Sequence, residues 1–334
     1  MKKPALLFLI LVSAFVSLSA QEVLSPHETA RTFMRSGDFD NAILVLNKAL
    51  DQEPKNSDIR KDLVLSYYYK RNYSKAKEEL EPLLDNDAAD VVTYQLAGNI
   101  YKALEEVKAA DKMYKKALKK FPASGALYSE YGELLWAAKN NDAINYWEKG
   151  IKADPSFAGN YYNAALYHFY TKDKVWTLVY GEIFINMESL TERAAAMKQL
   201  LFTAYKEKLF NDLNEKSDDK NKSEFTRAFL QNMNKQSALV TRGINTETLT
   251  MIRSRFILDW FASYATKFPF KLFDYQRQLM QEGMFEAYNQ WLFGTIENLA
   301  AYDNWTKTHT EAYSSFTTFQ KGRIFKMPPG QYYQ

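Results

Sequence analysis

Gly37-Asp38-Phe39-Asp40-Asn41-Ala42 and Arg71-Asn72-Tyr73-Ser74-Lys75-Ala76 align position by position, with an aromatic at Phe39 and Tyr73 and their alanines 34 residues apart. The alanine position recurs at Ala110 and Ala143. A second series, mostly small, runs Ala30, Val64, Gly98, Gly132 and Ala165, and a third runs Ala49, Leu83, Ala117 and Gly150. Large side chains stand between them at Leu46, Leu80, Tyr114 and Trp147. Pro54, Pro122 and Pro155 close three of the units, and Ala88 takes that place in the second. A fixed period over four units is the signature of a repeat architecture. Each unit reads as two antiparallel helices. Small residues sit where the helices approach most closely, large ones fill the space between, and Pro ends the second helix because it cannot continue it. The fold class that follows is all-α, and no run of alternating β-branched residues argues for a sheet.

The third unit, with Tyr94, Gly98, Tyr101, Ala110, Tyr114, Ala117 and Pro122, resembles the tetratricopeptide repeat (TPR). Four units cover roughly residues 23 to 156. A fifth, 157 to 190, keeps Tyr161, Ala164 and Ala165 but has Thr177 and Gly181 where an alanine and an aromatic are expected. Decay of a terminal unit is what a capping repeat shows. Ser189 with Glu192 three residues on reads as a capping box opening the next helix. The organisation expected is a signal peptide at 1–20, a TPR solenoid at 21–210, a polar linker at 211–223 and an aromatic-rich C-terminal helical domain at 224–334.

Lys2 and Lys3 precede an apolar stretch from Ala5 to Leu18 and small residues ending at Ala20, the pattern of a secretory signal peptide cleaved before Gln21. The stretch is shorter than the roughly 20 residues a spanning helix needs. The chain has 43 basic and 40 acidic residues, and without Lys2 and Lys3 the net charge is only +1. A balance that even argues against nucleic acid as partner. There is no cysteine, which excludes disulfides, thiolate metal sites, thiol catalysis and a lipid-modified N-terminal cysteine. The expected location is the periplasm, exported and not as a lipoprotein, or peripheral to the outer membrane, with no membrane span once the signal is removed.

In the second half, helices are expected near 224–236, 246–267, 271–282, 284–302 and 305–321. Asn245 or Thr246 caps the second, and Phe268-Pro269 ends it because the residue before Pro is pushed out of the α region. About a quarter of positions from Phe256 to Tyr333 are aromatic, which reads first as a core and second as a binding surface. The aromatic, Pro/Gly-rich tail from Arg323 to Gln334 is expected to pack on the domain. The segments Phe273–Gln278 and Phe285–Gly294 resemble the C-terminal part of exported TPR proteins from Bacteroidota, which implies an envelope protein and no defined activity.

The chemistry-bearing motifs are absent. There is no Gly-x-Ser-x-Gly, phosphate loop, dinucleotide fingerprint or His-Glu-x-x-His. His27, His168 and His309 have no metal-ligand spacing, and His168 reads as packed. No catalytic residue, metal or cofactor is assigned. The TPR resemblance implies that the first helix of each unit lines a concave face. Carried over, this gives Tyr68 and Tyr69, then Asn99 and Lys102, then Glu133 and Trp136, then Tyr162, Asn163, Phe169 and Tyr170. The Lys/Asn/Arg clamp of chaperone-tail-binding TPR domains is missing: His27 and Arg31 stand in the first unit, Val92 and Leu96 in the third. The expectation is a non-enzymatic adaptor of the cell envelope that binds another envelope protein, as a peptide or helix, on aromatics and amides. The alternative is a glycan- or nutrient-binding accessory protein using the aromatic C-terminal domain.

Overall fold

The computed structural model describes residues 24–85, 89–171, 173–210 and 219–334. The expected signal peptide, and the linker over 211–218, lie outside the described residues. The chain forms two compact units that divide between Ala88 and Ala89. Every regular element among the described residues is helical, as the repeat spacing predicts.

The first unit contains α1 (Pro26–Arg35), α2 (Phe39–Gln52), α3 (Ser57–Tyr69) and α4 (Tyr73–Leu84). Ser25, Asp38, Asn56 and Asn72 each accept a backbone N–H from the first turn of the helix they open. That is why the repeated hexapeptide keeps a short polar residue at Asp38 and Asn72. α1 packs on α2, α2 on α3 and α3 on α4. Ala30, Ala42, Leu46, Ala49, Ile59 and Leu63 form the core.

The second unit continues the pairs with α5 (Val91–Ala103), α6 (Val107–Lys120), α7 (Gly125–Ala137), α8 (Ala143–Ala153), α9 (Ala158–Tyr170) and α10 (Lys174–Met187), followed by α11 (Glu192–Ala204). α5, α7, α9 and α11 pack side by side in one layer, each of the first three backed by its partner α6, α8 or α10. The small-residue series marks the closest approaches. A Cβ on Gly132 would stand 2.3 Å from the indole nitrogen of Trp147, whose N–H donates to the Ser129 carbonyl at 3.1 Å. At Gly150 it would meet Asn160 at 2.4 Å, and that amide donates to the Gly125 carbonyl at 2.9 Å.

A second periodic device closes the pairs. Gly37, Arg71, Glu105 and Lys139, each 34 residues after the last, all have positive φ, between 57° and 79°. At each turn two successive N–H groups return to the preceding helix, as in Lys139 N–H to Trp136 O and Asn140 N–H to Leu135 O. This left-handed cap satisfies carbonyls that the helix end leaves over. Only Gly37 adopts it without a Cβ penalty.

α10 is buried along almost its whole length. Thr177 and Gly181 stand where the repeat pattern expects alanine and an aromatic. A Cβ on Gly181 would lie 2.7 Å from Leu201 of α11, so the departure from the pattern lets α11 approach. The cap of α11 is Thr191, which accepts the Ala194 N–H at 3.2 Å, and not Ser189. Glu188 takes bonds from Thr191 and Arg193 and fixes that turn.

Beyond α11 the chain makes a π turn at Tyr205–Leu209, then α12 (Glu224–Asn234), α13 (Thr246–Ser263), α14 (Lys271–Gln281) and α15 (Phe285–Asn289). A second π turn at Gln290–Gly294 and a short helical turn lead to α16 (Leu299–Thr308) and α17 (Thr310–Lys321). Asn245 caps α13 in a full capping box with Thr248. The expected continuous helices over 284–302 and 305–321 do not form. The first is interrupted by the π turn and then by Asn298, extended at φ −160°, which restarts the chain by accepting the Ala301 N–H. The second begins at Thr310, because His309 leaves the helical region at φ −119°, ψ 41°.

One hydrophobic core runs from Ala143 to Met327, so the later repeats and the C-terminal helices bury their apolar faces together. Most of the aromatic excess is here: Phe225, Trp260, Phe268, Phe270 and Phe273 pack ring on ring. The tail joins them. Tyr333 stacks on Phe225 at 5.0 Å, and Tyr332 donates to Glu148 at 3.0 Å. Within this core Glu182 of α10 accepts from Arg253 of α13, from Gln276 of α14 at 2.6 Å and from Tyr288 of α15 at 2.7 Å.

Two glycine substitutions should act in opposite directions. Gly132→Ala, which would stabilise an open helix, is expected to destabilise by about 1–3 kcal/mol because the indole behind it is buried and bonded. Lys139→Gly removes a Cβ from a left-handed position and is expected to stabilise by up to about 1 kcal/mol. Urea unfolding followed by far-ultraviolet circular dichroism reads both.

Candidate functional site

Polar side chains tie α5 to α7 and α7 to α9 within the α5–α7–α9–α11 layer. Gln95 of α5 donates to Glu130 of α7 at 2.8 Å, and Tyr114 of α6 donates to the other Glu130 oxygen, also at 2.8 Å. Asn163 of α9 donates to Ser129 at 3.2 Å and to Glu133 at 3.0 Å, both on α7. The bonds of Gln95 and Asn163 run between residues 30 to 35 apart in sequence, so the repeat period itself brings these partners into register; Tyr114 reaches Glu130 from within the adjoining pair, 16 residues away. Burial pushes the Glu130 carboxyl above the ordinary carboxylate range, against the opposing pull of its Gln95 and Tyr114 bonds. It also pushes the Tyr114 hydroxyl well up.

The layer also leaves apolar surface uncovered. Val92 on α5, Trp136 on α7 and Tyr170 on α9 are 52 %, 40 % and 67 % exposed. Trp136 is held in place by Tyr167 at 5.2 Å and Trp147 at 6.2 Å, both against its ring. Tyr170 stands edge-on to Phe169 at 5.5 Å, and Phe169 lies under the Lys174 ammonium at 4.6 Å. Large apolar groups that remain in water on a fixed scaffold are what a docking surface offers.

The sequence-derived residues divide accordingly. Trp136 and Tyr170 present accessible rings. Tyr162 is half-buried, packed on Phe184 at 4.9 Å with the Arg193 guanidinium over its ring at 5.0 Å. Asn163 is committed to Ser129 and Glu133. Phe169 and Asn99 are half-buried. Tyr68 and Tyr69 belong to the first unit; there Tyr69 stacks on Phe39 at 5.2 Å while staying 56 % exposed, and Tyr68 packs against Tyr73 at 5.5 Å. His27 and Arg31, which replace clamp residues of carboxylate-binding repeats, both turn to Asp62, at 2.7 and 2.8 Å. Their donors are therefore engaged within the first unit.

His168 is buried and bonded to Glu148 at 3.2 Å, the same carboxylate that Tyr332 reaches. Among the described residues no group of three or more His, Asp or Glu side chains could hold a metal ion. No helix among them is long and apolar enough to cross a membrane. The Gln95–Glu130–Tyr114 link escaped the sequence reading, although Gln95 and Glu130 are 35 residues apart and so fall near one repeat period. The Glu182 cluster left no such trace, since its members lie on helices 71 to 106 residues apart.

Helix pairs with this spacing, small-residue contacts and side-by-side packing make a tetratricopeptide-type solenoid, and the Tetratricopeptide repeat family matches residues 33–99. Among solved structures the chain is similar to MamA, at 22 % identity over 51 % of this chain and 94 % of that one, with a TM-score of 0.41. It is similar to MamA 41-end from Desulfovibrio magneticus RS-1, at 13 % identity over 50 % and 95 %, with a TM-score of 0.42. It is also similar to YrrB, described as a TPR protein with an unusual peptide-binding site, at 19 % identity over 52 % and 90 %, with a TM-score of 0.39. Likeness at this level says nothing of what this chain binds. No curated protein matches its sequence.

The Glu130 environment has a pH signature. Its folded carboxyl holds a proton to higher pH than the unfolded one, so its contribution is greatest below the unfolded value and is lost as pH climbs through the folded one. Glu130→Gln keeps partners for Gln95 and Tyr114, the tyrosine hydroxyl turning to accept, and removes the buried charge. The variant is expected to raise the urea midpoint at pH 8 and to leave it nearly unchanged at pH 4.

Proposed function

We propose that this chain is a non-enzymatic adaptor that docks an extended peptide or a helix of a partner protein on the α5–α7–α9–α11 layer. The observation that supports this is the pair of exposed rings at corresponding ends of successive helices of the layer, Trp136 on α7 and Tyr170 on α9, 34 residues apart. A partner segment gains by covering the rings, and the layer needs no rearrangement to receive it. Glu133, exposed beside Ser129 and Asn163, adds a carboxylate at the margin that favours a partner carrying a basic or amide side chain. Buried aromatic anchors of this kind dominate many interfaces.

The test is a peptide-display selection against the immobilised full-length chain, followed by calorimetry of the selected peptides. Trp136→Ala with Tyr170→Ala is expected to weaken binding by about tenfold or more, since each tenfold is 1.4 kcal/mol and aromatic anchors commonly exceed that. Tyr170 is 67 % exposed and Trp136 40 %, and neither fills a small-residue helix contact, so the helical signal should change little. Selected peptides that bind the double variant as well as the parent would show that docking takes place elsewhere.

The adaptor is proposed to work in a bacterial envelope compartment. The supporting feature is the N-terminal pattern of Lys2-Lys3, an apolar stretch and Ala20 before Gln21. The protein recovered from the periplasmic fraction is expected to begin at Gln21 on N-terminal sequencing. Recovery from the membrane fraction with Met1 in place would overturn this.

A further inference from the structure

A cleft of about 350 Å³ opens between the N-terminus of α13, the π turn at Gln290–Gly294 and α16. That size falls in the range of small-ligand sites. Its lining includes Thr246, Glu247, Gln290, Glu297, Asn304 and Trp305. Thr246 is only 4 % exposed, and its hydroxyl is buried without a hydrogen-bond partner. A buried hydroxyl left unpaired is costly, and each one in a native structure calls for an explanation. The neighbouring groups are fixed. Glu297 accepts the Thr246 backbone N–H. The Trp305 indole donates to Glu286 at 2.9 Å and stacks on His309 at 4.7 Å with the rings 6° from parallel. Gly294 lets the π turn close: a Cβ there would stand 2.6 Å from both the Gln290 carboxamide and the Tyr302 ring.

We propose that this cleft binds a neutral saccharide. The lining carries two carboxylates, Glu247 and Glu297, no lysine or arginine, and one histidine, His309, whose ring is stacked on Trp305, a balance that disfavours phosphates, carboxylates and acidic sugars. Its polar groups are amides and hydroxyls as well as carboxylates, so it both donates and accepts. A sugar hydroxyl does both, whereas an ammonium group can only donate. The indole supplies a flat apolar surface for the C–H face of a pyranose, and its polar edge is already satisfied by Glu286. The Thr246 hydroxyl is then the group that pairs with a ligand hydroxyl.

Calorimetry with the full-length chain tests this, using maltohexaose, cellohexaose, mannohexaose and chitohexaose, with an oligoglucuronate and spermine as charged counterparts. One neutral oligosaccharide should saturate the protein. Trp305→Ala and, separately, Thr246→Val should each weaken it by about tenfold or more. Thr246→Val should do so without lowering the melting temperature, because it removes an unpaired hydroxyl and keeps the shape. A residue with only a structural role would move stability and leave binding alone. The proposal fails if no neutral oligosaccharide saturates the chain, if both variants bind as the parent does, or if spermine or the oligoglucuronate binds in preference.

Discussion

A single carboxylate organises the second unit. Glu182 sits buried on α10, and one of its oxygens accepts from Arg253, Gln276 and Tyr288. Asn186, one turn on, donates to the same Tyr288 hydroxyl at 2.7 Å. The Arg253 guanidinium is surrounded by the rings of Phe285, Tyr288 and Phe293 at 5.4 to 5.6 Å. Desolvating such a pair cancels much of its attraction, so its net contribution to stability is small. Losing one partner strands the other, at about 3–5 kcal/mol. Apolar contacts tolerate sliding and rotation, but three directional bonds to one oxygen do not. The last repeat helix and α13, α14 and α15 are thereby held in one register. α10 packs in turn on α9, which carries Tyr170, and on α11, while the N-terminus of α13 opens the cleft that carries Trp305.

What the sequence discloses follows from how each constraint is written into it. Close helix approach demands a small residue at a fixed period, so Gly98, Gly132 and Gly150 announce the helix pairs directly. The left-handed turns obey the same period, yet three of the four use Arg71, Glu105 and Lys139. The strain is carried by the surrounding bonds, and no glycine marks the place. Helix starts with short polar caps, such as Asn245, are legible because the cap acts locally. The interruptions at Gln290–Gly294 and Asn298 are not, because they answer to the packing of α13, α16 and Tyr302 against that segment. Glu182 and Arg253 look like any other charged residues on helices.

The candidate site shows the same division. Repeat register places Trp136 and Tyr170 on the first helices of their units, which are α7 and α9, and both remain accessible. It also places Tyr162 and Asn163 there, but both are taken up within the second unit: Arg193 arrives over Tyr162 from α11, and Asn163 donates to Ser129 and Glu133 about one period back. Arg193 stands on a helix beyond the repeats, and the periodic pattern carries no information about that helix. The tail gives the clearest case. Tyr332 and Tyr333 read as aromatics needing cover, yet nothing in their neighbourhood in sequence points to Glu148 or Phe225 as the groups that receive them.

Aromatic composition alone therefore could not have separated the surfaces of this protein, because rings serve three ends within one unit. Phe225, Trp260 and Phe273 are buried against one another and are core. Trp136 is backed by Trp147 and Tyr167 while 40 % of it stays in water, so its surroundings suit an apolar side chain from a partner. Trp305 is edged by a carboxylate, stacked on His309 and flanked in its cleft by amides, carboxylates and the unpaired hydroxyl of Thr246. An apolar side chain brought there would leave the Thr246 hydroxyl unpaired, whereas a hydroxyl of a polyhydroxylated ring would pair with it. It is the polar company of each ring, and not the ring, that selects the chemistry of what binds beside it.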